Sequence, residues 1–472
     1  MRRSTDQTMK PATVHDLVNT TGGRWRWNGH GSDLTGMPLG PIQTDSRALE
    51  PGAVFWALPG PRYDGADFVR EAVARGASGV VTSRPAAPQG DCWVLCVDNS
   101  QAALWRWAAW HRRRFSGTLI AVTGSVGKTT TRQMIHTVLG SRLRGTCSPR
   151  NYNNHVGVPL SMLALRPEHD YAVLELGASG PGEIAALAAL TAPRVGVITQ
   201  VGDAHLGGFG SRRGIAEGKA ELLAALPPHG LAVMGSDPWL QRMASRSRAA
   251  VVWVGCGDDC GVKATELRSE EGQLRFRVGS CPFAVPIWGR HHLTAALAAV
   301  AVARSLGFDL EEIAAALARF EPLPLRCEVI QVRGATIIND TYNSSPTAVR
   351  AALELVRDME ASGRRIVVCG DMAELGDEAA SLHRQIGAEV VRTARAHLLI
   401  ACGRFARRMV EGAREAGLPA SHSIPCPAPD DALPFLGQAV QPGDIVLVKG
   451  ARVLAMERIV EALQHFPQRK SA

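Results

Sequence analysis

Thr118-Leu-Ile-Ala-Val-Thr-Gly-Ser-Val-Gly-Lys-Thr-Thr-Thr131 is the stretch whose reading decides the fold. Leu119 to Val122 are apolar and largely β-favouring, which predicts a buried strand. The run breaks at Gly124-Ser-Val-Gly127, and Lys128-Thr-Thr-Thr-Arg-Gln-Met-Ile-His-Thr-Val-Leu139 then reads as a helix. Backbone N–H groups of such a turn, with the positive end of the helix dipole, make a cradle for phosphate. Lys128 would reach the outer phosphates, and Thr129 would place a hydroxyl on Mg²⁺. Gly124, Ser125, Val126, Gly127 and Thr130 complete the expected nucleotide loop. Only Ser125 and Val126 separate the two glycines, where the commonest phosphate loop has about four intervening residues. A plain tight turn between strand and helix is the competing reading. The motif points to a nucleoside triphosphate and leaves the reaction open.

Outward from this loop, apolar runs at 118–123, 171–176, 195–201 and 231–234 alternate with helical segments. Near-continuous apolar strands joined by helices predict a parallel sheet covered on both faces. The stretch 262–287 alternates instead and reads as a small antiparallel insert, followed by helices at 291–306 and 310–320. Glu321-Pro-Leu-Pro-Leu325 reads as a linker, because two prolines stop a helix. Beyond it, strands at 336–339, 365–369, 397–401 and 445–448 alternate with helices at 346–361, 379–394, 404–416 and 451–465. This is a second open α/β sheet, with Asp340, Asp371, Gly403 and Lys449 at the carboxyl ends of its strands, where ligands collect. Before the loop, a strand after Pro51, a short helix at 67–75 and a strand at 78–82 make a third unit. Trp105, Trp107 and Trp110 lie on its alanine-rich last helix and read as packing residues.

The expected architecture is therefore α/β in three domains, 1–113, 114–322 and 323–472, in keeping with 472 residues at roughly 150 per domain. With 46% apolar and 20% charged residues the chain can bury ordinary cores. No apolar run approaches the ~20 residues needed to cross a bilayer, and no hydrophobic segment follows Met1-Arg-Arg-Ser, so no signal peptide is expected. The ten cysteines are scattered; Cys256 and Cys260 have no His or Cys pair at ligand spacing and read as reduced thiols. A net charge of +8 permits nucleic acid, but its densest run, His111-Arg-Arg-Arg114, is short. Arginine-rich composition and anionic small substrates account for it better. The tail Gln468–Ala472 is expected to fray.

Glu175 ends an apolar strand, a position costly for a carboxylate unless it is paired or bound to metal. In a nucleotide site it would hold the bridging Mg²⁺; a solvent-facing strand end is the alternative. His205 follows the next strand in a glycine-rich loop and is balanced between ligand and structural roles. Lys219 reads locally as a solvent-facing helix lysine. Asn151-Tyr-Asn-Asn-His-Val-Gly-Val-Pro159 is a polar loop whose amides suit substrate or simple turn formation.

Thr123-Gly-Ser-Val-Gly-Lys-Thr-Thr, Asn153-Asn-His-Val-Gly-Val-Pro, Glu175-Leu-Gly-Ala and Ala204-His-Leu-Gly-Gly-Phe-Gly-Ser occur in this order. Together they resemble the Mur ligase family of ATP-dependent amino-acid-adding enzymes of peptidoglycan synthesis, whose phosphate loop has this shortened spacing. The resemblance runs from about Thr44 to Arg452. It implies a UDP-substrate-binding N-terminal domain, a P-loop ATPase and a Rossmann-like C-terminal domain. Asn339-Asp-Thr-Tyr-Asn-Ser-Ser-Pro346, Gly370-Asp-Met-Ala-Glu-Leu-Gly376 and Val448-Lys-Gly-Ala-Arg452 point within it to UDP-N-acetylmuramoyl-tripeptide and D-alanyl-D-alanine as substrates. The implied cofactors are ATP and Mg²⁺, and the implied setting is a cytoplasmic monomer. By the same resemblance, Thr129, Glu175, His205 and Lys219 serve metal, with Lys219 carried as its CO₂ adduct, N6-carboxylysine. Arg326, Asp340, Tyr342 and Asn343 join the phosphate loop at the nucleotide. Ser46, Arg47, Asn153 and Asn154 approach the UDP substrate, and Lys449 and Arg452 face the acceptor.

Two departures accompany the resemblance. The family pattern Gly-x-His-Asn-x-x-Asn-Ala reads here Gly289-Arg-His-His-Leu-Thr-Ala-Ala296, so Ala295 stands where an amide helps recognise adenine and His291 or His292 would have to supply the contact. Ala66 stands where Asp-Gly-His is usual. The competing readings are a sibling ligase adding another amino acid and a non-catalytic nucleotide-binding homologue. Whether the tripeptide carries diaminopimelate or lysine is not written in the chain.

Overall fold

The computed structural model describes residues 11–27 and 36–465. The expectations for the N-terminal residues and for the tail 468–472 lie outside them. The described chain is α/β with parallel pairing dominant, as the alternation of apolar strands and helices requires. It divides into two compact units, 1–119 with 143–176 and 186–193, and 120–142 with 177–185 and 194–472.

The first unit carries a five-stranded sheet in the order Arg24–Arg26, Trp93–Cys96, Gly79–Thr82, Val54–Trp56 and Ile42–Gln43. Only the Arg24–Arg26 edge is antiparallel. The helix Ser100–Arg114 supplies much of the core against this sheet. Trp107 is 1% exposed and stacks on Trp110 with centroids 4.6 Å apart, while Trp105 Nε1 donates to the His155 carbonyl at 2.7 Å. The three tryptophans are packing residues, as their spacing suggests. The short strand Gly145–Cys147, which the sequence does not announce, pairs in parallel with Tyr171–Glu175.

In the second unit, Thr118–Thr123 (from Ile120 onward), Val195–Ile198, Leu231–Gly235 and Ala250–Gly255 pair in parallel in that order. Val262–Glu270 continues from Ala250–Gly255 in parallel before Gln273–Val278 and Cys281–Val285 fold back. The alternating stretch 262–287 is antiparallel within itself, as expected, and joins the sheet through its first strand. The alanine-rich helix Leu293–Ser305 packs closely on the phosphate-loop helix Lys128–Gly140, since small side chains let two helix axes approach.

The C-terminal sheet runs Glu328–Val332, Ala335–Asp340, Ile445–Lys449, Arg365–Gly370, Leu398–Cys402, Ser423–Cys426, with only the first pair antiparallel. Its strand residues alternate between two cores. Val367, Cys369 and Leu399 face the helices Pro346–Asp358, Ala379–Arg392 and Ala406–Glu415, whereas Ile366, Val368 and Ile400 face Leu433–Ala439 and Glu457–His465. Burial on both faces explains the unbroken apolar runs.

Candidate active site

Gly124 has φ 142° and Gly127 φ 80°, so both use backbone conformations that a side chain disfavours. A Cβ at Gly124 would come within 2.0 Å of Thr199 Oγ1. That hydroxyl donates to the Val126 carbonyl at 2.6 Å, and Ser125 N–H donates to the Gln200 carbonyl at 2.9 Å, which pins the loop to the neighbouring strand end. The helix Lys128–Gly140 begins at Gly127 without a side-chain cap, the arrangement that leaves its positive end to an anion. Lys128 Nζ donates to the Gly124 carbonyl at 2.9 Å, folded over the loop that it would serve. Thr129 and Thr130 are buried. Arg326 Nη2 donates to Thr129 Oγ1 at 2.9 Å, and its guanidinium lies 4.0 Å from the Tyr342 ring centroid. Residues almost two hundred positions apart therefore meet at the start of one helix.

Lys219 overturns its local reading. It lies on the helix Arg212–Ala224, opened by the Ser211 cap, but is only 1% exposed. Its Nζ donates to the Ala178 carbonyl at 3.3 Å and sits 5.1 Å from the Phe209 ring. Burial first, and then the Lys128 charge, push its pKa down to about 7. Such an amine is about half uncharged at neutral pH, and the uncharged form is nucleophilic.

His205 takes the left-handed conformation (φ 61°) at the start of the turn Leu206–Phe209. Its Nδ1 faces the carboxylate of Glu374, itself at φ 62°, while Gly207 N–H donates to the Glu374 carbonyl at 3.0 Å. The hydrogen bond from His205 holds the Glu374 carboxyl below its ordinary range. The sequence singled out the motif containing Glu374 but not this pairing. Behind the turn, Asp203 is 3% exposed and joined to Arg212 Nη2 at 2.9 Å and Arg350 Nη1 at 3.0 Å.

Asp340 Oδ2 accepts from Lys449 Nζ at 2.6 Å, and Lys449 also donates to the Asn343 carbonyl at 2.9 Å. Lys449, expected on the acceptor side, is 2% exposed. Asn343 Oδ1 accepts from Ser344 N–H, and Arg452 pairs with Glu457.

In the first unit, Glu175 is 1% exposed and accepts from Asn153 Nδ2 at 2.8 Å. The solvent-facing alternative for this carboxylate is excluded. Asn154 Oδ1 accepts from Val156 N–H and Gly157 N–H, opening the helix Gly157–Leu163. Ser46 is buried and donates to Glu71 at 3.1 Å, and exposed Arg47 pairs with Asp45. A pocket of about 620 Å³ nearby is lined by Leu39, Val73, Ser78, Cys92 and Trp93 among others, without Ser46 or Arg47.

Family models match three consecutive segments: the Mur ligase family catalytic domain at 40–101, the Mur ligase middle domain at 122–303 and the Mur ligase glutamate ligase domain at 325–452. The chain belongs to the Mur ligase family. This Mur ligase is 36% identical over 442 residues to UDP-N-acetylmuramoyl-tripeptide--D-alanyl-D-alanine ligase of Escherichia coli, covering 92% of this chain and 95% of that one. The Bacillus subtilis enzyme of the same name is 34% identical, covering 90% and 93%. Crystal structure I of MurF from Acinetobacter baumannii superposes with a TM-score of 0.86 at 32% identity, covering 98% of this chain and 100% of that one. MurF ligase from Thermotoga maritima, in complex with ADP, gives 0.78 at 29% identity, covering 90% and 97%.

The departures from the family pattern are also placed. Ala295 is 3% exposed on the helix Leu293–Ser305, so an amide there would need a buried partner. His291 and His292 close the short turn Arg290–His292 just before it. Ala66 lies in the first turn of the short helix at 65–68, where its N–H donates to Asp64 Oδ1 at 2.9 Å.

Proposed function

We propose that this Mur ligase joins D-alanyl-D-alanine to UDP-N-acetylmuramoyl-tripeptide at the expense of ATP, in the cytoplasm where ATP is available. The observation that carries the reading is the 36% identity to a ligase of that specificity over 95% of its length. The phosphate loop and the buried lysine of the second unit support it. In the reaction, an oxygen of the tripeptide's terminal carboxylate attacks the γ-phosphorus and ADP departs, giving an acyl phosphate. The dipeptide's amine then attacks the acyl carbon, loses a proton, and inorganic phosphate leaves. Such chemistry asks the protein to position groups and neutralise charge, and needs no enzyme nucleophile.

Lys128 and the loop from Gly124 to Thr130 would hold the phosphates. Arg326, stacked on Tyr342 and touching Thr129, would orient the nucleotide, with Asp340 and Asn343 beside it through Lys449. By the family resemblance Thr129, Glu175, His205 and Lys219 would hold Mg²⁺, which when bound would offset phosphate charge. A buried carboxylate and a buried amine with pKa about 7 suit it once Lys219 adds CO₂: the neutral amine attacks the carbon, one proton leaves, and a carbamate oxygen pair replaces a repelling ammonium. Ser46, Arg47, Asn153 and Asn154 are assigned to the UDP substrate and Arg452 to the acceptor. Domain boundaries near 113 and 322 are proposed on the strength of the sheet ranges.

Phosphate release is the direct test. UDP-N-acetylmuramoyl-tripeptide with D-alanyl-D-alanine should release phosphate, and single amino acids should not. Turnover with a single amino acid instead would assign the chain to a sibling ligase, and none with any acceptor would make it a non-catalytic homologue.

A further inference from the structure

Among the described residues, His291, His292 and Cys327 form a cluster with the donor set of a metal centre. Each offers one ligand atom, and the three atoms lie within 4.8 Å of one another. His291 Nε2 is 3.7 Å from Cys327 Sγ. Zinc bonds of about 2.0–2.1 Å to nitrogen and about 2.3 Å to sulfur, at tetrahedral angles, set those two atoms about 3.6 Å apart. This edge of the polyhedron is already at its liganded length.

A second observation is independent of the spacing. His292 is 7% exposed, and its Nε2 is buried without a hydrogen-bond partner. A buried ring nitrogen in that state costs free energy unless something from outside the chain takes its lone pair. The backbone is shaped to present the rings. Gly289 has φ 102°, and a Cβ there would come within 2.4 Å of His291 Cε1, so only glycine admits the folded-back imidazole. The two rings lie 4.0 Å apart between centroids.

We propose that His291, His292 and Cys327 bind one thiophilic divalent cation of the zinc class, leaving a fourth position for water or a small ligand. Two imidazoles and a thiolate select such an ion over Mg²⁺, which prefers oxygen ligands. On binding, two Zn–N bonds and one Zn–S bond form, and the Cys327 proton passes to solvent. The Asp340 carboxylate, which accepts from Cys327 N–H at 3.3 Å and is paired with Lys449, lies beside the site. The ion would tie the turn before the helix Leu293–Ser305 to the start of the C-terminal sheet. The site does not depend on the ligase reading.

The test titrates metal-free full-length protein with Co²⁺ in the presence of excess Mg²⁺. One equivalent should bind with visible d–d bands and a near-ultraviolet thiolate-to-cobalt charge-transfer band, both abolished by Zn²⁺. Cys327→Ser should remove the charge-transfer band and weaken Zn²⁺ binding, measured against a chromophoric chelator, by on the order of 100-fold, since losing even an outer-shell partner costs about 10–100-fold. His292→Ala should weaken binding but keep the band, and Cys256→Ser and Cys260→Ser should leave both unchanged. A wild-type protein without the band, or a band that survives Cys327→Ser, overturns the proposal. X-ray absorption at the zinc edge of the wild type needs no variant: a sulfur scatterer at about 2.3 Å supports the site, and a shell of only nitrogen and oxygen refutes it.

Discussion

Carbamylation of Lys219 can be tested at the level of its proton. The amine must be neutral to attack CO₂, and its pKa is pushed down to about 7 by burial and by Lys128. At about pH 8 a group with that pKa is roughly 90% neutral, whereas an ordinary lysine near 10.4 is about 0.4% neutral, a gain of roughly 200-fold in reactive amine. The same shift carries a stability signature. The unfolded chain holds the proton up to about pH 10.4 and the folded chain releases it from about 7, so the depressed value opposes folding fully below 7. Stability therefore rises as pH climbs between those limits, by on the order of 5 kcal/mol in total before any carbamate forms. ¹³C-bicarbonate should give a carbamate carbonyl resonance that appears as pH passes about 7 and is absent from Lys219→Ala. Turnover should fall when CO₂ is stripped and recover on adding bicarbonate, and Lys219→Ala should lose activity by on the order of 100-fold or more. Full activity in Lys219→Ala, with no dependence on bicarbonate, would refute the reasoning.

Three further outcomes follow from the geometry. Arg326→Ala loses the bond to Thr129 and the stack on Tyr342, worth about 2–3 kcal/mol together; the KM for ATP should rise by tens of fold with a smaller change in kcat, and an unchanged KM would remove Arg326 from the nucleotide site. Asp203→Asn leaves Arg212 and Arg350 facing a neutral amide. Because both guanidiniums are partly exposed, the expected loss is nearer about 3 kcal/mol in denaturant unfolding than the upper end of the range for buried pairs. Burial raises the Asp203 pKa but its two arginines outweigh that and hold it low, so the contribution exists above the ordinary carboxylate range and fades as pH falls; the variant's acid limb should be flatter than the wild type's. Trp107→Ala, at a site 1% exposed, should cost about 3–5 kcal/mol, and a loss under 1 kcal/mol would mean that the stacked pair is not part of the core.

The elements that carry a periodic or motif signal were readable without coordinates. Thr118–Thr123 and Lys128–Gly140 follow from a β-favouring run, a glycine break and a helical run. The C-terminal strands follow from unbroken apolar segments buried on both faces. The short strands Gly145–Cys147, Glu328–Val332 and Ser423–Cys426 were not visible, because a few residues carry too little periodicity.

Side-chain environment was the larger gap. Nothing around Lys219 in the sequence distinguishes it from a surface lysine; its burial comes from the turn at Phe209 and the carbonyl of Ala178 closing over it. His205 and Glu374, Arg326 and Thr129, and His291, His292 and Cys327 meet across separations that no local window spans. Local propensity is written into neighbouring residues, so the sequence by itself determined the class of fold, the phosphate loop and the family. Burial and electrostatic coupling depend on which distant segments touch, so only the tertiary structure decided which lysine is buried with a lowered pKa and which histidines lie beside a cysteine.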